Sequence, residues 1–312
     1  MPCSRHSRSC SHKVAAVIDP RFALDRRAVM RSFSRAASHY EQCARLQRQV
    51  RADLLERLQY FPLKPDSVLD LGAATCESAR RLRERFPRAQ VVGLDIAEGM
   101  LRAMPAPRWP WQRTGVMRVC ADAAALPLQT GSCQLVFSNL MLQWCDRPDI
   151  VFREIARVLK PGGLLLFSTF GPGTLDELRA AWAAADTHSH VSSFIDMQDL
   201  GSELMRAGLA EPVLDTEQHR LHYPDARALM LELKGLGARN AVQDRARGLT
   251  GRRQLARMLD AYERSREPKG LPATFEIIFG AAFAGGDAAR AGGSGPGGEF
   301  AVPVSSVQRA RR

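Results

Sequence analysis

Between residues 25 and 59 apolar side chains return at three- and four-residue steps: Val29, Phe33, Tyr40, Leu46, Val50, Leu54, Leu55 and Leu58. That period predicts helix, and Pro62 and Pro65 end it. The rhythm then shortens. Apolar runs at 67–71, 90–94, 116–120, 133–138 and 164–169 read as five strands. Amphipathic stretches at 77–86, 98–103 and 150–159 read as helices between them, and Pro161-Gly162-Gly163 stops the last. Residues 105–111 break regular structure. Strands that alternate with helices imply a parallel sheet with right-handed crossovers and helices on both faces.

After Phe170 the pattern turns mostly helical, over 174–185, 196–207, 226–236 and 252–264. Residues 213–223 and 274–279 fit antiparallel edge strands, which brings the expected sheet to seven. Residues 1–20 and 285–312 read as flexible tails around one domain, 21–284.

The net charge of +11 changes this picture less than it first suggests. Residues 1–35 carry +6 and residues 285–312 carry +2, which leaves +3 on 36–284. A near-neutral core argues against a groove that tracks nucleic acid. It leaves room for an acidic protein docking on a local arginine cluster. No apolar run approaches the roughly 18 residues that span a bilayer, so no membrane is expected. Seven cysteines, an odd number in a long chain, argue against a disulfide framework and for a reducing cytoplasm. Cys3, His6, Cys10 and His12 lack the paired spacing of zinc ligands, so no metal is expected there. A transit peptide of similar composition is the lesser reading of that tail.

The candidate chemistry sits at strand ends, where open α/β sheets bind ligands. Asp70-Leu71-Gly72-Ala73-Ala74-Thr75-Cys76 ends the first strand and opens a helix, whose N-terminal N–H groups face a carboxylate. Asp95 ends the second strand and can accept both hydroxyls of a ribose. Asp122 follows the third and can accept from an adenine amino group, and Asn139 follows the fourth. Together they suit an adenosine joined to an amino acid. A nicotinamide-dependent oxidoreductase would call for a fuller G-x-G-x-x-G loop than this one.

In VLDLGAATC at 68–76, VVGLD at 91–95, ADAAALPL at 121–128, FSNLMLQW at 137–144 and LKPGGLLLFSTFG at 159–171, the chain resembles the class I, Rossmann-like S-adenosylmethionine-dependent methyltransferases. The resemblance implies that Gly72 meets the methionine part, Asp95 the ribose and Asp122 the adenine. Asp70, Ala73, Ala74, Ile96, Ala123 and Asn139 complete the implied site. Ala74 and Cys76 depart from the class, which usually has glycine there. An Ala74 forced to positive φ would cost about 1 kcal/mol.

Beyond the sheet, RSFSRAASHYEQCARLQRQV at 31–50, STFGPGTLDELRAAWAAAD at 168–186, SHVSSFIDMQDLGSELMRAGLAEPVLD at 189–215, YPDARALMLELKGLGARNA at 223–241 and LTGR at 249–252 resemble the malonyl-acyl-carrier-protein O-methyltransferases of biotin synthesis, over most of 22–282. That resemblance implies covering N-terminal helices and a helical cap inserted after the fifth strand, about 171–250. It implies methyl transfer to the free carboxylate of a malonyl group on acyl carrier protein, by a monomer. Such a carboxylate is ionised at pH 7 and needs no general base. Alignment and exclusion of water are then the protein's work.

Arg147, Lys234, Arg239 and Arg252 are candidate cations for that carboxylate; none stands out, and each taken alone reads first as a surface salt bridge. Tyr40, Asn139 and His190 are candidates for positioning. The N-terminal arginines 26, 27, 31, 35, 45 and 48 form a candidate surface for an acidic carrier. Alternatives are a methyltransferase for a small lipid or quinone precursor, and a non-catalytic binding protein of the same fold.

Overall fold

The computed structural model describes residues 24–104, 115–186, 188, 190–238 and 250–285. The tails but for Gly285, the Cys3, His6, Cys10 and His12 group, the break at 105–111 and Arg239 lie outside the described residues.

The N-terminal helical pattern comes in three pieces: α1 (Arg26–Ala36), α2 (Tyr40–Cys43) and α3 (Arg45–Arg57), with a 3-10 turn over Leu58–Tyr60. Asp25 caps α1 by accepting from the Ala28 N–H at 3.0 Å. The chain leaves helical geometry at Ala44, with ψ 45°. The break separates two duties. Leu46, Val50 and Leu54 of α3 pack into the main core, while α1 runs elsewhere with only Val29 and Ala36 buried.

The sheet contains β1 (Ser67–Leu71), β2 (Gln90–Asp95), β3 (Val116–Cys120), β4 (Cys133–Asn139), β5 (Leu159–Phe170), β6 (Leu209–Tyr223) and β7 (Leu271–Ala284). Their order is β3-β2-β1-β4-β5-β7-β6. The first five strands are parallel, and β7 pairs antiparallel with both β5 and β6. This is the Rossmann-like seven-stranded architecture that the motifs imply. Between strands run α4 (Glu77–Arg85), α5 (Glu98–Arg102) and α6 (Pro148–Val158). β5 begins at Leu159 instead of 164: Leu159 pairs with Cys133, and the register shifts before Leu135 resumes against Leu164. Pro161-Gly162-Gly163 is thus a kink inside a strand, with Gly162 at φ 75°.

Period-two alternation divides the strands between two cores. Leu135, Phe137, Leu164, Leu166, Ile277 and Phe279 join α3 on one face. Val136, Leu165, Phe167 and Ile278 join Phe152 and Ile155 of α6 on the other. The helices after Phe170 make two excursions, not one insertion over 171–250. The first holds α7 (Asp176–Ala183); the second, between β6 and β7, holds α9 (Ala226–Gly235) and α10 (Arg252–Glu263). Between them α8 (Met197–Arg206) buries Leu200 and Leu204 in the second core, and β6 belongs to the sheet. No helix among the described residues is long and apolar enough to cross a membrane.

Gly280 of β7 lies opposite Phe167 of β5. A Cβ there would stand 2.2 Å from Phe167 Cζ and 2.8 Å from Leu214 Cδ2. Gly280→Ala should therefore destabilise the fold by about 1–3 kcal/mol, read as a lower urea midpoint at unchanged slope. An unchanged midpoint would show that Phe167 has room to move.

Candidate active site

The loop after β1 folds back over the end of β2. The N–H groups of Gly72 and Ala73 both donate to the Leu94 carbonyl, at 2.8 and 2.9 Å. Three of its residues are left-handed: Gly72 at φ 77°, Ala74 at 46° and Cys76 at 62°. Ala74 therefore does carry the positive φ that its position threatened, and so does Cys76. Each costs about 1–2 kcal/mol in a residue with a Cβ. Neighbours accommodate them. The Ala74 N–H donates to Asp95 Oδ2 at 2.9 Å, and the Cys76 N–H to the Ala73 carbonyl at 2.7 Å. Gly93 leaves the space for the fully buried Cys76 thiol: a Cβ on Gly93 would stand 3.0 Å from Cys76 Sγ. At Gly72 a Cβ would fall 2.2 Å from Met141 Cγ, so only glycine fits under that side chain.

Asp95 holds this end of the site together. Its second oxygen, Oδ1, accepts from the Ala97 N–H at 2.8 Å. Burial raises its pKa, and the Ala97 and Ala74 N–H groups work against that rise. Two bonds leave lone pairs on both oxygens. Asp70 has a different place. It is 1% exposed beneath the loop, does not line the cleft, and has no partner for Oδ2. Burial first, and then Asp95, lifts its pKa from 3.8 to about 7, against the Ala79 N–H and Arg51.

Above the loop opens a cleft of about 1680 Å³, its mouth included. Gly72, Ala74, Asp95, Ile96, Asp122, Ala123, Asn139, Tyr40 and His190 all line it, so the strand-end residues do converge. Ala73 does not; its side chain packs in the core. Asp122 Oδ1 accepts from the Ala124 N–H at 2.9 Å, and Oδ2 pairs with Arg26 of α1. Phe33 of α1 meets Trp144 edge-on, with ring centroids 5.0 Å apart. Asn139 is braced: its amide donates to the Gln47 carbonyl at 3.2 Å, and its Oδ1 accepts from Ser168 at 3.0 Å. His190 stacks on Trp182 at 3.7 Å and 11°, and Nε2 contacts both Asp186 oxygens at 3.0 Å. The Tyr40 phenol has its pKa raised, by burial first and then by Glu41 and Asp95, so it stays protonated.

The candidate cations do not meet there. Arg147 is committed to Asp149 through two bonds of 2.9 and 2.8 Å beside the start of α6. Lys234 and Arg252 are exposed and outside the cleft lining. The one arginine among the described lining residues is Arg26, already paired with Asp122. The lining also includes Gln47, whose Oε1 is buried without a partner, and Glu232, which accepts from the Tyr223 hydroxyl at 2.8 Å. Periodicity marks α3 as a core helix and gives no hint that Gln47 turns inward. Nothing local marks Glu232 either, because its neighbours in space come from β6.

Asp70 gives a pH signature. An acid whose folded pKa exceeds its unfolded value binds more protons when folded, so stability falls with rising pH between the two values and levels off above them. For Asp70 that window runs from 3.8 to about 7. Urea midpoints of wild type should decline across it more steeply than those of Asp70→Asn, which is the more stable above pH 7. Parallel profiles would show that Asp70 titrates normally.

Comparison with known proteins agrees with this geometry. Residues 69–167 match the family described as "Methyltransferase domain". A malonyl-[acyl-carrier protein] O-methyltransferase of Gallionella capsiferriformans is 46% identical, over 84% of this chain and 92% of its own. One from Methylovorus sp. is 48% identical over 84% and 90%, and one from Halorhodospira halophila 43% over 93% and 98%. Among solved structures, a putative methyltransferase of Bacillus halodurans superposes with a TM-score of 0.54 at 18% identity, over 75% of this chain and all of that one. The chain belongs to the malonyl-[acyl-carrier protein] O-methyltransferase family, S-adenosylmethionine-dependent enzymes of the class I methyltransferase fold.

Proposed function

We propose that this protein transfers the methyl group of S-adenosylmethionine to the free carboxylate of malonyl-acyl carrier protein. The methyl ester hides that charge, so the thioester can enter fatty-acid elongation as a primer toward the biotin precursor. The observation that carries the reading is one cleft, with Asp95 and the left-handed loop at one end and side chains of α7 and α9 at the other. The left-handed loop at Gly72 and Ala74, both in the cleft lining, and the free lone pairs of Asp95 fit the methionine and ribose parts. Asp122 fits the adenine amino group beside its Arg26 pair.

S-adenosylmethionine, when bound, supplies a methyl group on a positively charged sulfur. The protein's task is to align a carboxylate with it and keep water out. Tyr40, held protonated, offers an O–H. Neutral donors orient a carboxylate while leaving it more nucleophilic than a bidentate arginine would. His190, locked by Trp182 and Asp186, shapes the wall. Phe170, Phe194 and Phe275 supply an apolar lining that excludes water.

The carrier docks on α1 in this reading. Arg27, Arg31 and Arg35 form one exposed stripe at four-residue steps, and α1 has no acidic residue. Val29 and Phe33, on the other side of the helix, line the cleft. Three other arginines of the expected surface are engaged: Arg26 with Asp122, Arg45 over the Tyr223 ring, and Arg48 with the Glu41 carbonyl. An acidic carrier on this stripe would sit directly outside the cleft wall.

Incubation with malonyl-acyl carrier protein and methyl-labelled S-adenosylmethionine should label the thioester, and Asp95→Ala should raise the cofactor KM about 10- to 100-fold, the loss of one or two charge-assisted bonds. Label only on free small acceptors would reject the substrate, and an unchanged KM the role of Asp95. Reversing the stripe (Arg27→Glu, Arg31→Glu and Arg35→Glu together) should raise the KM for malonyl-acyl carrier protein at least about 10-fold at low salt, but not that for malonyl-pantetheine. Equal effects on both would place the docking surface elsewhere.

A further inference from the structure

Outside the cleft, α3 and β6 bring three side chains together. Asp53, Glu217 and His219 each offer one donor atom, and these lie within 4.8 Å of one another. None of the three lines the cleft. Glu217 and His219 share a face of β6, two residues apart. The His219 side chain is only 8% exposed, and its Nε2 is buried with no hydrogen-bond partner. Nε2 stands 3.9 Å from Asp53 Oδ2 and 3.8 Å from Glu217 Oε2. Those separations are too long for a hydrogen bond.

The surroundings fix the second oxygen of Glu217. Arg57, one turn after Asp53 on α3, donates to Glu217 Oε1 at 2.5 Å and to Asp215 Oδ2 at 2.9 Å, with its guanidinium 4.0 Å over the Phe279 ring. Glu217 Oε2 is left facing the imidazole. With His219 neutral, Asp53, Asp215 and Glu217 against Arg57 carry a formal charge of −2.

We propose that Asp53, Glu217 and His219 form a binding site for a divalent transition-metal ion, best suited to zinc. One imidazole nitrogen and two carboxylate oxygens are a three-ligand zinc set with a fourth position left for water. Tetrahedral bonds of about 2.0–2.2 Å place donors roughly 3.4 Å apart, so each His219 separation closes by about half an ångström. The two carboxylates lie within 4.8 Å of each other, and half-exposed Glu217 is the one that moves to close the remainder. A dipositive ion balances the −2 charge. The imidazole selects against magnesium and calcium, which take oxygen donors. The ion would clasp α3 to the edge strand β6.

The test uses the full chain, stripped of metal. Zinc is titrated against a chromophoric zinc chelator, and Tm is followed with and without zinc. Wild type should bind one equivalent more than His219→Ala or Asp53→Asn, and zinc should raise its Tm but not theirs. Far-UV circular dichroism checks that the variants are folded. If His219→Ala is not, Asp53→Asn at its half-buried helix position decides alone. Equal stoichiometry and equal Tm response in all folded chains would overturn the site, since the zinc would then sit on cysteines or histidines elsewhere. No zinc bound at all would overturn it equally.

Discussion

Asp95 ties two backbone segments to the end of β2. One oxygen holds the N–H of Ala74 in the left-handed loop, and the other holds the N–H of Ala97 as the chain turns into α5. Without that carboxylate the loop would have little to offset two non-glycine residues at positive φ. The backbone completes the anchor: the Gly72 and Ala73 N–H groups bond the Leu94 carbonyl, which holds Gly72 beneath Met141, and Cys76 packs against the gap left by Gly93.

The second constraint is the division of labour in the N-terminal helices. α3 is a core element, buried through Leu46, Val50 and Leu54. α1 is a wall with two surfaces: Val29 and Phe33 toward the cleft, and Arg27, Arg31 and Arg35 toward water. The break around α2 allows both. A single straight helix would have put its apolar residues on one core face and left the cleft without a wall.

A carboxyl methyl transfer suits a cleft whose polar groups are mostly committed. Asn139, His190 and Asp122 are each braced by neighbours and so hold shape. The acceptor is already an anion at neutral pH, which leaves orientation, desolvation and delivery of the substrate to the protein.

Much of this was legible in the sequence. The strands and helices carry strong period-two and period-3.6 patterns, and the strand-end residues Gly72, Asp95 and Asp122 fall where a parallel sheet must gather them. The odd residues Ala74 and Cys76 also announced themselves, because glycine was missing where a left-handed turn was due. Tertiary structure decided the rest. It showed that Gly93, distant in sequence, accommodates Cys76, and that Asp70 lies beneath the loop instead of in the cleft. It turned Arg26 inward to Asp122 and Arg147 aside to Asp149, and it left Lys234 and Arg252 in solvent. It divided the helices after Phe170 into two excursions with α8 and β6 between them. The reason is physical. Periodicity records which face of an element is buried, but the partner of a charged side chain is set by contacts across elements that no local pattern encodes.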